Sequence, residues 1–131
     1  MTGTYRWRFG VIAALGAGMA LSCFSERSSI MDADLDECVQ EGVGSAGGVG
    51  IGIRNFAFAQ TEVRVSAGTR VTWVNCERPN IDPHTTTSDD NIWASPLLSA
   101  GQTYSRVFTQ PGRYEYHCVP HPSMQGVIIV E

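Results

Sequence analysis

From about Gly50 to its C-terminus the chain consists of short β-branched and aromatic runs, each cut off within a few residues by turn formers. No apolar stripe of helical period runs through this part, so it points to strands rather than to a helical bundle. The expected strands are Ile51 to Phe58, Glu62 to Val65, Arg70 to Asn75, Gln102 to Phe108, Arg113 to His117 and Gly126 to Val130. Between them, Ser66-Ala67-Gly68-Thr69, Ser99-Ala100-Gly101 and Gln110-Pro111-Gly112 carry turn chemistry, with Gly free to take positive φ and Pro fixing φ near the turn value. Strands this short and closely spaced predict an all-β fold, a Greek-key β-sandwich with antiparallel pairing. A domain of about eighty residues buries a limited core, so a metal or a disulfide is expected to reinforce it.

What precedes Gly50 has a different character. Residues 1–22 read as a signal peptide: Arg6 and Arg8 with no acid, then the apolar run Val11 to Leu21, too short to span a bilayer comfortably. A membrane anchor or a buried strand is the competing reading. Ala20-Leu21-Ser22-Cys23 resembles the lipobox of bacterial lipoproteins, with Ala20 where a large aliphatic residue is usual. Cys23 is thus a lipidation candidate, and ordinary cleavage beside Ala20 or Ser22 is the alternative. Residues 23–48 are acidic and then Gly-rich, with six acids against one Arg. So few large apolar side chains are expected to leave a mostly flexible tether, which would hold the protein to a membrane if Cys23 is lipidated. The folded domain is then residues 49–131.

The chain has no Lys, nine Arg and thirteen acids, a formal charge of −4. That argues against a nucleic-acid partner, which selects a basic face. From Val49 onward six Arg and seven acids nearly cancel, so long-range steering of a partner is expected to be modest.

The cysteines divide by fate. Cys23 is lipidated or removed, and Cys118 has ligand spacing to a His and a Met. Cys38 and Cys76 remain as an even pair in a chain bound for an oxidising compartment. A Cys38–Cys76 disulfide is expected there, with two free thiols as the alternative. There are three histidines. His121 lies three residues after Cys118, and Met124 three after His121, between the last two expected strands. Together with His84 they supply two imidazoles, a thiolate and a thioether. Sulfur favours Cu(I), while imidazole serves both oxidation states of copper. His117 directly precedes Cys118 on a strand, where neighbours face opposite ways, so it is expected to point away from the metal.

These residues carry a family resemblance. Arg70-Val71-Thr72-Trp73-Val74-Asn75, His84 to Asp90, Leu97 to Tyr104, Gly112 to Cys118 and His121-Pro122-Ser123-Met124 are similar, in order and spacing, to the plastocyanin, amicyanin and halocyanin group of cupredoxins. The resemblance spans about Ile51 to Glu131. It implies one type 1 copper held by His84, Cys118, His121 and Met124. The short Cys-x-x-His-x-x-Met spacing is the amicyanin-like one, and Pro120 and Pro122 stiffen it. The chain departs from the family pattern after the first His, where Thr85 replaces the Asn of many members and is expected to supply a hydroxyl beside the ligands. Pro83 before it offers no amide donor. Asn75 is expected to support the site, and the stretch Cys76 to Asp82 is long.

The resemblance implies a small electron carrier cycling Cu(I)/Cu(II); the signal peptide makes it an exported protein, periplasmic or on the outer face of a bacterial membrane, and a monomer is expected. Redox proteins would dock transiently near His121, against Pro120, Pro122, Leu97 and Leu98. It does not imply an enzyme, because no further His cluster is available for a second copper centre. A copper-binding module for buffering, delivery or sensing remains the alternative. A zinc site is a third reading, weakened by the lack of an acid placed as general base; Asp82, Asp89 and Asp90 read as solvated loop residues.

Overall fold

The computed structural model describes residues 26–131. The expected signal peptide and the Cys23 lipidation site lie outside the described residues. In chain order the elements are α1 (Glu26–Val43), a 3-10 turn (Gly44–Ala46), β1 (Val49–Arg54), β2 (Ala57–Phe58), β3 (Glu62–Val65), β4 (Thr69–Asn75), β5 (Thr87–Ser88), β6 (Thr103–Phe108), β7 (Gly112–His117) and β8 (Gln125–Val130). The single strand expected over Ile51 to Phe58 is instead a hairpin, β1 and β2, turning at Asn55 and Phe56.

Two four-stranded sheets form, in the orders β2-β1-β4-β6 and β3-β8-β7-β5. The chain changes sheet after each element from β2 to β6, as a Greek-key sandwich does. Pairing is not antiparallel throughout: β1 runs parallel to β4, and β3 to β8. A strand that visits the other sheet and returns need not reverse direction, as it must in a hairpin.

Alternation along β4 builds two layers of packing. Val71 and Trp73 face the space between the sheets, while Val74 faces outward. Trp73 is fully buried and meets Trp93, Tyr104, Phe108 and Tyr116 at centroid separations of 5.4–6.4 Å. Burying each such side chain contributes about 1.5–3 kcal/mol. Burial also pushes the Tyr116 phenol up to about 12.

Over Glu26–Val43 the structure corrects the tether expectation, because α1 lies on the outer face of the first sheet. Leu35, Cys38, Val39, Gly42 and Val43 recur at helical spacing and share one face. They close over Val74 and Cys76 as a second buried cluster. Glycines on β1 make the room: a Cβ at Gly52 would stand 2.7 Å from Leu35 Cδ1, and one at Gly50 would overlap Val39. Cys38 is disulfide-bonded to Cys76, directly after β4, across a sequence separation of 38. Arg54 adds an ion pair to Asp34 at 2.8 Å. The helix has few apolar residues, and the covalent link offsets much of the entropy lost in ordering it.

Replacing both Cys38 and Cys76 by Ser is expected to cost about 2–4 kcal/mol of stability in urea denaturation, because the unfolded chain regains the freedom of a long loop. Gly52→Val is expected to cost about 1–3 kcal/mol by overpacking, with loss of amide-exchange protection confined to α1. Uniform loss across the sheets would contradict the packing described.

Candidate metal centre

Two segments meet at one end of the sandwich. The first leaves β4 and reaches His84, which forms an isolated antiparallel bridge with Leu98: His84 N–H donates to Leu98 O at 3.1 Å and Leu98 N–H to His84 O at 2.7 Å. Asn75 supports this bridge from β4, its amide donating to Leu98 O at 2.7 Å. The second is the loop between β7 and β8. His121 N–H donates to Cys118 O, Met124 N–H to His121 O, and Cys118 N–H to Met124 O, at 2.9–3.2 Å. Those closed turns bring Cys118, His121 and Met124 back onto one point of the chain.

The side chains converge. His84 Nδ1 and His121 Nδ1 are 3.1 Å apart, and Cys118 Sγ lies 3.7 Å from the first and 3.6 Å from the second. A point in the plane of these three atoms lies about 2 Å from each, close to the bond lengths of about 2.0–2.3 Å between a first-row metal and imidazole or thiolate. Among the described residues this is the one group of His, Cys, Asp and Glu side chains arranged to hold a metal. Met124 is buried in the same core cluster as Cys118. A fit to copper follows from the donor set, two borderline nitrogens with a soft thiolate.

Burial grades the donors. His84 and Cys118 have no exposed surface, whereas the His121 side chain keeps 21% and is the one that reaches solvent. Burial, then the neighbouring His121, holds the His84 imidazole below the ordinary value of 6.5, against an opposing pull from Glu77.

The surroundings are built from both segments. Thr85 N–H donates to Cys118 Sγ at 3.3 Å, and the Thr85 hydroxyl accepts from Val119 N–H at 2.8 Å and from Thr87 Oγ1 at 3.2 Å. Pro83 fixes φ on the approach to His84 and donates nothing. His117 faces away, its Nδ1 2.5 Å from Asp89 Oδ1. Asp82 is largely exposed, with one oxygen 4.0 Å from His121 Nε2. Leu98, expected on the docking face, is buried instead, because its backbone is bridged to His84 and its side chain joins the core. Leu97 beside it is exposed.

Sequence reasoning missed two neighbours. The Glu77 side chain is only 6% exposed, and its Oε1 stands 3.5 Å from His84 Nε2. That separation is long for a hydrogen bond, and the nitrogen has no hydrogen-bond partner in the structure. Phe56 packs on both imidazoles. The available signals were an acid two residues past Asn75 in the ligand-bearing loop, and Asn-Phe where a two-residue hairpin ordinarily has Asn-Gly.

A Greek-key sandwich with a His-Cys-His cluster at one end defines a cupredoxin-like copper protein. A family model described as copper binding proteins of the plastocyanin/azurin family matches residues 46–131, and the chain belongs to that family. It is 38% identical over 120 residues to amicyanin-alpha of Methylorubrum extorquens, covering 90% of this chain and 98% of that one. It is 33% identical over 87 residues to the amicyanin of Paracoccus denitrificans, 65% of this chain and 66% of the relative. The solved structure of a reduced amicyanin variant matches at a TM-score of 0.60 and 30% identity, over 67% of this chain and 86% of that one. A copper-containing nitrite reductase from Thermus scotoductus SA-01 matches at a TM-score of 0.61 and 27% identity, over 65% of this chain but 22% of its own. The cofactor is one copper.

A lowered His84 value means that the unfolded chain takes up a proton that the folded chain refuses. Stability from this source is therefore complete above pH 6.5 and declines below it. The metal-free protein is expected to melt at a lower temperature as pH is brought from about 7.5 to about 5.5. The same series on metal-free His84→Gln should show a shallower slope; an equal slope would assign the effect elsewhere.

Proposed function

We propose that the protein is a small exported electron carrier that exchanges electrons at the His121 edge, with Met124 completing its ligand set. The observation that carries this reading is the convergence of His84 Nδ1, His121 Nδ1 and Cys118 Sγ within 3.7 Å of one another, with His121 alone reaching solvent. When bound, copper supplies a one-electron couple between Cu(I) and Cu(II). The protein's part is to hold one set of donors through both states. His84 is locked by its bridge to Leu98, and the Thr85 amide steadies the thiolate charge of Cys118. Core packing fixes Met124. Donors held this firmly rearrange little on electron transfer, which favours fast exchange over storage or delivery.

Partner docking falls to the exposed apolar residues beside the ligands: Leu97, Val119, Pro120 and Pro122. Such a patch suits short-lived redox encounters of small area. The likeness to amicyanins supports a carrier, and the nitrite reductase likeness covers one part of a larger enzyme. Export rests on the charged and apolar character of residues 1–22, and a lipid anchor at Cys23 would hold the carrier at a membrane surface. Among the described residues no helix is long and apolar enough to cross a membrane.

Loading with Cu(II) is expected to give an intense blue band and a paramagnetic-resonance spectrum typical of a copper–thiolate site, with fast electron self-exchange. Slow self-exchange in a blue protein would favour a buffering or delivery role instead. Cys118→Ser is expected to abolish the blue band. Met124→Leu should keep it and raise the potential by at least about 30 mV, roughly a threefold change in preference for Cu(I). An unmoved potential would remove Met124 from the ligand set.

A further inference from the structure

The β1–β2 hairpin turns on Asn55 and Phe56, between the paired residues Arg54 and Ala57. Both turn residues have left-handed backbones, at φ 54° and 56°, as the type I′ turn requires. Glycine is the ordinary occupant of the second position, since a bulky side chain there crowds the backbone. Here that position holds Phe56, with 45% of its surface exposed. A strained residue of this kind persists where its surroundings over-determine it, and such residues cluster at functional sites.

What surrounds Phe56 is the metal centre. Its ring stands edge-on to His84 at 5.4 Å and to His121 at 4.9 Å between centroids, with interplanar angles of 86° and 87°. Near-perpendicular contacts of this kind are favourable and directional. Its backbone N–H donates to Glu77 Oε1 at 2.8 Å, and that same oxygen faces His84 Nε2 at 3.5 Å. The hairpin tip is thus held to the ligand-bearing loop by its amide and touches both imidazoles with its ring.

We propose that Phe56 is a positioning residue for electron exchange, whose ring clamps the His84 and His121 imidazoles and shields them from water on the hairpin side. This rests on the copper reading above. The ring touches the imidazoles and donates nothing to the metal, so its removal leaves all four candidate ligands in place. What changes is the freedom of His121, which keeps 21% of its side chain exposed. A looser imidazole rearranges more as the oxidation state changes and lets the metal escape more readily.

The test compares the full-length protein with Phe56→Gly and Phe56→Tyr, both copper-loaded and metal-free. Phe56→Gly relieves the left-handed strain while removing two ring contacts, opposing effects on stability, so the metal-free variant is expected to fold and to melt near the wild-type temperature. Its copper-loaded form is expected to stay blue, to release copper to a chelator at least about fivefold faster and to self-exchange electrons at least about fivefold slower, the scale set by loss of two aromatic contacts. In the metal-free state the His121 ring-proton resonance should move toward its value in an unstructured peptide. Phe56→Tyr, which keeps the ring, should restore all three. A blue Phe56→Gly protein with wild-type copper release and an unshifted His121 resonance would overturn this proposal and leave the copper reading standing. A wild-type protein with no blue band would overturn both.

Discussion

Thr85 joins the two halves of the metal centre, and the rest of the site depends on that junction. Its amide points at Cys118 Sγ, while its hydroxyl takes the amide of Val119. One residue therefore links the segment after β4 to the loop after β7, which belong to different sheets. The link satisfies a buried amide and fixes the position of the sulfur that faces the two imidazoles. With the loops so joined, His84 and His121 approach without either having to leave its own backbone bridge or turn.

Behind that junction stand two kinds of support. The apolar kind is the aromatic packing around Trp73, which sets the separation of the sheets and hence where the loops end. The polar kind is local: Asn75 holds Leu98, and Leu98 holds His84. Helix α1 joins this support from outside the sandwich, since its disulfide partner Cys76 lies between Asn75 and Glu77. A staple on the outer face of the sheet thus anchors the start of the loop that carries the first ligand.

The candidate metal donors were legible because their chemistry is local. Cys118, His121 and Met124 share one short loop, and a three-residue spacing on tight turns suffices to bring them together. The strands were legible for a similar reason, since alternation and turn residues act over a few positions. The helix was not. Leu35, Cys38, Val39 and Val43 do form a helical stripe, but three large apolar residues and a cysteine look too few to order an acidic segment. What tips the balance lies far away in the chain, in the room made by Gly50 and Gly52 and in the bond to Cys76. Parallel pairing of β1 with β4 and of β3 with β8 was hidden likewise, because pairing between non-sequential strands leaves no local mark.

By itself, then, the sequence determined the class of fold, the metal chemistry and the loop that carries most of it, since these follow from residue type at short range. Beyond Thr85 and Asn75, only the tertiary structure decided which side chains surround the donors. Phe56 reaches the imidazoles from a hairpin more than twenty residues away in the chain, Glu77 folds back onto His84 from within the same loop, and Leu98 turns inward because its backbone must answer His84. Those contacts come from the way two sheets close on each other, and closure depends on the whole core rather than on any one stretch of chain.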